Sequence, residues 1–283
     1  MSTQQKLTTP PAGTNENQTI RELMNLSGRV AVVTGGAGHI GIAICEALAE
    51  LGASVVVVDR DADSCGKLTD RLSKQYQSQT LPLAIDLQIE KEVLSIPDSV
   101  ENRFGRLDIL VNCAAFVGAS NLSGWVTDFA NQSSDAWRMA LELNLTTPFV
   151  LTQACAPALA KNGSGSVINV GSIYGVVGPD MRMYENTKMG NPVAYAASKG
   201  GLLQMTKWMS TVLAPNVRVN AICPGGIQRG QPDSFQEQYC SRTPMGRMGH
   251  EQDMKGAAAY LASDLSAYVT GQNLVVDGGW TAW

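Results

Sequence analysis

Eight residues, Thr34-Gly-Gly-Ala-Gly-His-Ile-Gly41, constrain this chain more than any other stretch. They stand between a β-branched run at 29–34 and an apolar pattern through Ile40, Ile44, Leu48 and Leu51 that repeats at helical spacing. A turn this tight from strand to helix favours residues that lack a Cβ. The helix that follows aims its first N–H groups and the positive end of its dipole back at the turn, which suits a diphosphate. A second apolar run, 53–58, closes on Asp59, 18 residues after Gly41. An acidic side chain at that point is placed to hydrogen-bond an adenosine ribose, so the unit reads as a dinucleotide-binding βαβ. Gly35, Gly38, His39, Ile40 and Gly41 are its expected diphosphate seat. Asp59 would repel a 2′-phosphate and favours NAD over NADP, whereas Arg60 beside it could hold one.

Further unbroken apolar runs follow at 81–87, 107–112, 166–170, 217–223 and 273–276, most of them separated by helical patterning. Strands without alternation, interleaved with helices, belong to a parallel sheet covered on both faces. The expected fold is therefore α/β, a doubly wound parallel sheet of Rossmann type. With 283 residues, 44% of them hydrophobic, the chain can bury one sizeable core, so a single domain over 26–283 is expected. Residues 1–25 are polar and rich in Pro, Thr and Gln, with no apolar core of a secretion signal, and read as a mobile tail.

Composition excludes several functions. A net charge of -4 and the lack of a dense Lys/Arg run argue against nucleic acid as a partner. No apolar run reaches the roughly 18 residues of a membrane span. Six widely spaced cysteines with no CxxC suit reduced thiols in a cytoplasm. His39 and His250, the two histidines, lack a second ligand at a metal-site spacing, so no metal is expected.

Chemistry is carried by a tyrosine four residues before a lysine, which shares one face of a helix with it. An ammonium there is expected to lower the phenol's pKa from its reference near ~10 and make a general acid/base. The pattern occurs twice, as Tyr184-Glu-Asn-Thr-Lys188 and as Tyr195-Ala-Ala-Ser-Lys199.

Together with the glycine turn, Asp86-Leu87, Asn112-Cys-Ala-Ala115, Asn144, Ser172, Tyr195-x-x-x-Lys199, Pro224-Gly-Gly226 and Val276-Asp-Gly-Gly279 stand in the order of the short-chain dehydrogenase/reductase family, which the chain resembles from about Leu26 onward. The resemblance implies a dimer or tetramer that moves hydride between a nicotinamide and an alcohol or carbonyl. It implies a catalytic tetrad of Asn144, Ser172, Tyr195 and Lys199. Tyr195 would exchange the proton, Ser172 would hydrogen-bond the substrate oxygen, and Lys199 would hold the nicotinamide ribose. Asn144, within a long helix, would hold a water leading from the lysine to solvent. Further cofactor contacts are implied at Asp86, Leu87, Asn112, Ala114, Pro224, Gly225 and Ile227.

Three positions depart from the pattern. His39 replaces a glycine, so the turn also fits the TGxxGxxG of the extended, sugar-nucleotide branch; the 84 residues after Lys199 are too few for that branch's substrate domain. Asn112-Cys-Ala-Ala115 loses a glycine, and Arg229 replaces an expected threonine.

The family spacing from serine to tyrosine favours Tyr184, 12 residues after Ser172, over Tyr195 at 23. Gly190-Asn-Pro192 would stop any helix carrying Tyr184 and Lys188, while Pro192 suits the start of one carrying Tyr195. Tyr195 is therefore the expected acid/base, and 176–191 contains an insertion of about ten residues that shapes the substrate pocket. Its wording, with Gly171-Ser-Ile-Tyr-Gly175 and the ending Gly278-Gly-Trp-Thr-Ala-Trp283, resembles the group known as flagellin-modification protein A, of nonulosonic-sugar pathways. That resemblance implies a sugar or nucleotide-sugar substrate, with Tyr184 in the pocket and Arg182, Lys188 and Arg229 as candidates to meet a phosphate. A Pro- and Gly-bearing segment, about 228–250, is the expected substrate loop and lid. Two other catalytic outcomes stay open, an NAD-using epimerase or dehydratase without net redox change and a 3-oxoacyl carrier reductase. A non-catalytic dinucleotide sensor would be expected to lack the tyrosine or the lysine, and both are present.

Overall fold

In β1, Val30–Thr34, successive side chains point to opposite sides of the sheet, and every one is buried. The computed structural model describes residues 17–118 and 120–283. Among these, β1 is joined by β2 Ser54–Asp59, β3 Thr80–Ala84, β4 Ile109–Asn112, β5 Gly165–Val170, β6 Val217–Pro224 and β7 Asn273–Val276. They form one sheet in the order β3-β2-β1-β4-β5-β6-β7, and every pairing is parallel. Register is central on β1, where Val32 lies opposite Val56 on one side and Leu110 on the other.

The helices are α1 Ile20–Met24, α2 His39–Glu50, α3 Ala62–Tyr76, α4 Glu90–Val93, α5 Ile96–Phe104, α6 Ser134–Leu141, α7 Thr147–Ala160, α8 Val193–Leu213, α9 Asp233–Arg242 and α10 Asp253–Ala262. Ile44 and Leu48 of α2, Leu68 and Leu72 of α3 and Leu261 of α10 cover one face of the sheet, against Ala31, Val33, Val55 and Val57. Val100 of α5, Leu151 and Leu159 of α7 and Met209 of α8 cover the other, against Val30, Val32, Val56 and Val58. This is the doubly wound parallel sheet that unbroken apolar strands require.

The strands match the apolar runs closely, with one difference of note. The run at 81–87 ends as a strand at Ala84, because β2, its one partner, ends opposite it at Asp59. Asp86 instead turns its amide to the carboxylate of Glu92 at 2.8 Å. Of the expected mobile tail, residues 1–16 lie outside the described residues. Ile20–Met24 is not irregular: Thr19 and Glu22 close a capping box that satisfies the first turn of α1. The expected substrate loop likewise contains the ten-residue helix α9, and a bridge between Ile227 and Gly249 ties its base.

Candidate active site

Along the C-terminal edge of the sheet runs an open cleft of about 1070 Å³. It meets the turns after β1 and β4, where the strand order reverses and open α/β sheets bind ligands. Gly35, Gly38, His39, Ile40 and Gly41 line it, as do Asp59, Arg60, Asp86, Leu87, Ala114, Pro224, Gly225 and Ile227. The glycine turn tolerates no side chain at its closest points. A Cβ on Gly41 would lie 2.0 Å from the Gly35 carbonyl oxygen, and one on Gly35, at φ +60, would lie 2.8 Å from Ala114 Cα. Bare backbone followed by the open N–H groups of α2's first turn fits the diphosphate of a dinucleotide. Asp59 ends β2 at the cleft, its carboxylate accepting the Arg60 amide at 2.8 Å.

Asn112 departs from expectation. Its side chain turns away from the cleft and donates to Asn169 Oδ1 at 2.8 Å and to Thr152 Oγ1 at 3.2 Å. Asn169 in turn donates to Thr206 at 2.8 Å, so a buried polar network ties β4 and β5 to α7 and α8. A buried amide must find such partners, and here they lie beneath the sheet rather than at its edge.

Ser172, Tyr195 and Lys199 line the same cleft. Ser172 follows β5 in extended backbone and accepts the Tyr174 amide. Tyr195 and Lys199 lie one turn apart on α8, which begins after Pro192. Lys199 is buried, donates to the Val170 carbonyl at 2.7 Å, and sits 5.9 Å from the Tyr195 ring centroid. Burial pulls its ammonium down to about 8. The expected lowering of the Tyr195 pKa is overturned. Burial pushes the phenol up, and the opposing contributions come from the Ser172 hydroxyl and the Arg229 charge. The Lys199 ammonium donates to the Val170 carbonyl.

Asn144 is fully buried in a π-helical turn, Glu142–Thr146, that joins α6 to α7, and not in regular helix. Its Oδ1 accepts the Phe116 amide at 2.7 Å, and its Nδ2 donates to the Phe116 carbonyl and to Ser198 Oγ, each at 3.1 Å. This side-chain amide is thus committed to protein partners, and it fixes the cleft-lining Phe116 against α8.

The insertion forms a 3-10 turn, Met181–Tyr184, with Asn186 in left-handed backbone, so no helix joins Tyr184 to Lys188. Tyr184 and Lys188 line the cleft; Arg182 does not. Its guanidinium is held by Asp180 in a two-point pair, 2.8 and 2.9 Å, on the exposed side of the turn. Arg229 lines the cleft and pairs with Glu251 at 3.0 Å, and His39 approaches the same carboxylate at 3.6 Å.

Sequence reasoning missed Tyr174, Asn191, Phe235 and Tyr239, which also line the cleft. Tyr239 accepts the Gly226 amide at 2.6 Å and stacks on Trp280 with centroids 4.4 Å apart. For Phe235 and Tyr239 the signal was the aromatic content of α9, which periodicity alone assigns to core; Tyr174 and Asn191 carried no signal of their own. Among the described residues, no cluster of His, Cys, Asp and Glu could hold a metal.

Comparison with known proteins decides the family. The profile described as Enoyl-(Acyl carrier protein) reductase matches residues 35–281. The 3-oxoacyl-[acyl-carrier-protein] reductase FabG of Thermotoga maritima is 31% identical over 261 residues, covering 90% of this chain and 99% of that protein. This chain belongs to the short-chain dehydrogenase/reductase family. Galactitol 2-dehydrogenase (L-tagatose-forming) of Cereibacter sphaeroides is also 31% identical, covering 93% and 99%. Among solved structures, a short chain dehydrogenase from Leptospira borgpetersenii with bound NAD+ is 33% identical with TM-score 0.79, covering 94% of this chain and 96% of that one. An NADPH-dependent 3-quinuclidinone reductase from Rhodotorula rubra is 26% identical with TM-score 0.83, covering 97% and 99%. As a short-chain dehydrogenase/reductase, the protein is an oxidoreductase acting on CH-OH groups with a nicotinamide cofactor.

Proposed function

We propose that the protein is an NAD-dependent oxidoreductase whose acid/base is Tyr195 and whose substrate is an alcohol or carbonyl compound of sugar type. The observation that carries this reading is the convergence of Ser172, Tyr195 and Lys199 on the cleft that also holds the glycine turn and Asp59. A bound nicotinamide would supply the hydride acceptor or donor. In the reductive direction, Tyr195 gives its phenol proton to the substrate oxygen as hydride reaches the carbonyl carbon, and oxidation runs the same step backward from the Tyr195 phenolate. Ser172 donates to the same oxygen as its charge changes. Lys199 would hold the nicotinamide ribose, and Asp59 the adenosine ribose.

Asp59 supports NAD over NADP, because its carboxylate would meet a 2′-phosphate with like charge. The sugar-type substrate is supported by the galactitol dehydrogenase relative and by polar residues in the inserted segment. We assign 228–250 as the substrate loop, since Gln231, Pro232, Phe235 and Tyr239 reach the cleft from it. The test combines two measurements. NAD should bind more tightly than NADP in titrations, and candidate sugars and polyols should produce NADH absorbance. The reverse cofactor order shifts the weight to Arg60, and turnover with no net NADH change replaces the dehydrogenase by an epimerase or dehydratase.

A further inference from the structure

Tyr174 and Tyr184 line the cleft together with Tyr195, and their hydroxyls are 3.0 Å apart. Each phenol carries one O–H, and the contact between them uses one of the two. Whichever tyrosine donates, one O–H stays uncommitted. Asn191, also on the cleft, contacts the Tyr184 hydroxyl through its amide, and its Oδ1 is buried with no hydrogen-bond partner. A free donor and a free acceptor thus stand side by side in the cleft that Tyr195 also lines.

One common group satisfies both. A hydroxyl donates once and accepts as well, whereas a ketone, ester or thioester carbonyl only accepts and would leave the Asn191 oxygen unpaired. The wall beside the pair is aromatic: the Phe235 ring lies 5.5 Å from that of Tyr184 and 6.1 Å from that of Tyr239, over buried Met183. An apolar face edged by phenol and amide groups matches a carbon skeleton with C–H bonds on one side and hydroxyls on the other.

We propose that Tyr174, Tyr184 and Asn191 form a hydroxyl-reading subsite, so that the substrate is a polyol or sugar carrying a second hydroxyl near the carbon that Tyr195 serves. The subsite rests on the oxidoreductase reading above and deepens it. It selects against acyl thioesters, which bring no hydroxyl to Asn191 next to their reacting carbonyl.

The experiment compares kcat/KM with NAD for galactitol and xylitol against cyclohexanol, which offers the reacting hydroxyl alone, and for a 3-oxoacyl thioester with NADH. Polyols should be preferred to cyclohexanol. Tyr184→Phe and Asn191→Ala should each lower that preference about tenfold, the loss expected for one neutral hydrogen bond. NAD titration of each variant reports that it is folded. An unchanged preference in both folded variants overturns the subsite, as does a wild type that favours cyclohexanol or the thioester. Absence of all NAD-linked turnover overturns the oxidoreductase reading instead. Calorimetric binding of galactitol then decides the subsite: about tenfold weaker binding in the variants supports it, and no binding to the wild type overturns it.

Discussion

Tyr195 packs beside Trp125, Ala136 and Ala194 with its hydroxyl end at the cleft, and that burial sets its chemistry. A desolvated phenol holds its proton, so its assistance comes from neighbours, Ser172 and Arg229, rather than from an ordinary solvated ion pair. Tyr195→Phe should lower kcat by about 10²- to 10⁴-fold, the range for a lost general acid/base. Tyr184→Phe should keep a far larger share, and a steady-state assay showing the opposite order would move the chemistry to Tyr184. Lys199 permits a second prediction. Its folded pKa of about 8 lies below its ordinary 10.5. Between those values the unfolded chain binds more protons than the folded one, so stability rises with pH across the window. Below pH 8 both states are protonated and the burial cost is felt in full; above 10.5 it is gone. The rise amounts to about 3 kcal/mol at 1.36 kcal/mol per pH unit. Urea unfolding of Lys199→Met should show a flatter profile between pH 8 and 10.5 than the wild type.

The turn from β1 into α2 couples fold and site through atoms that are missing. Gly41→Ala would drive a methyl into the Gly35 carbonyl at 2.0 Å, so the turn must open or α2 must shift. A destabilisation of about 1–3 kcal/mol or more is expected, with loss of NAD binding. Gly66, inside α3, meets nothing within 4 Å, and Gly66→Ala should stabilise by about 0.5–1 kcal/mol with NAD binding unchanged. Thermal melts and NAD titrations of the two variants separate the role of the turn from a general effect of alanine. In the helical run from α6 to α7, the π-helical turn at Glu142–Thr146 makes a related accommodation. It carries Asn144 inward to hold the Phe116 backbone, which regular α-helical spacing assigns to no particular partner.

Across the whole molecule, large apolar side chains remain exposed on neighbouring helices: Phe149 on α7, and Trp208 and Val212 on α8. Trp208 is 61% exposed, an unfavourable place for an indole unless another surface covers it. We expect a homo-oligomer of two or four copies in solution, measured by sedimentation, and a shift toward monomer in Trp208→Lys. Because α8 also carries Tyr195 and Lys199, disruption of that contact should lower turnover as well as mass.

The sequence alone determined the doubly wound fold, since unbroken apolar strands between amphipathic helices have few other ways to bury both faces. It also determined the bare glycine turn that opens α2 and the choice of α8 as the helix of Tyr195, because glycine freedom and proline's missing N–H are local constraints that need no partner. What lay across the chain was decided only by tertiary structure. Asn112 and Asn144 match their motifs, yet their amides are committed to Asn169 and Phe116, 57 and 28 residues away in the chain. Arg182 looked available to a phosphate until Asp180 claimed it on the outer side of the turn. The direction of the Tyr195 shift followed from burial, which spacing cannot report. The pairing of Tyr174 with Tyr184, and the empty acceptor of Asn191 beside it, arises because the insertion folds back over the end of β5. A hydrogen bond is a property of two positions in space, and only the folded chain brings these together.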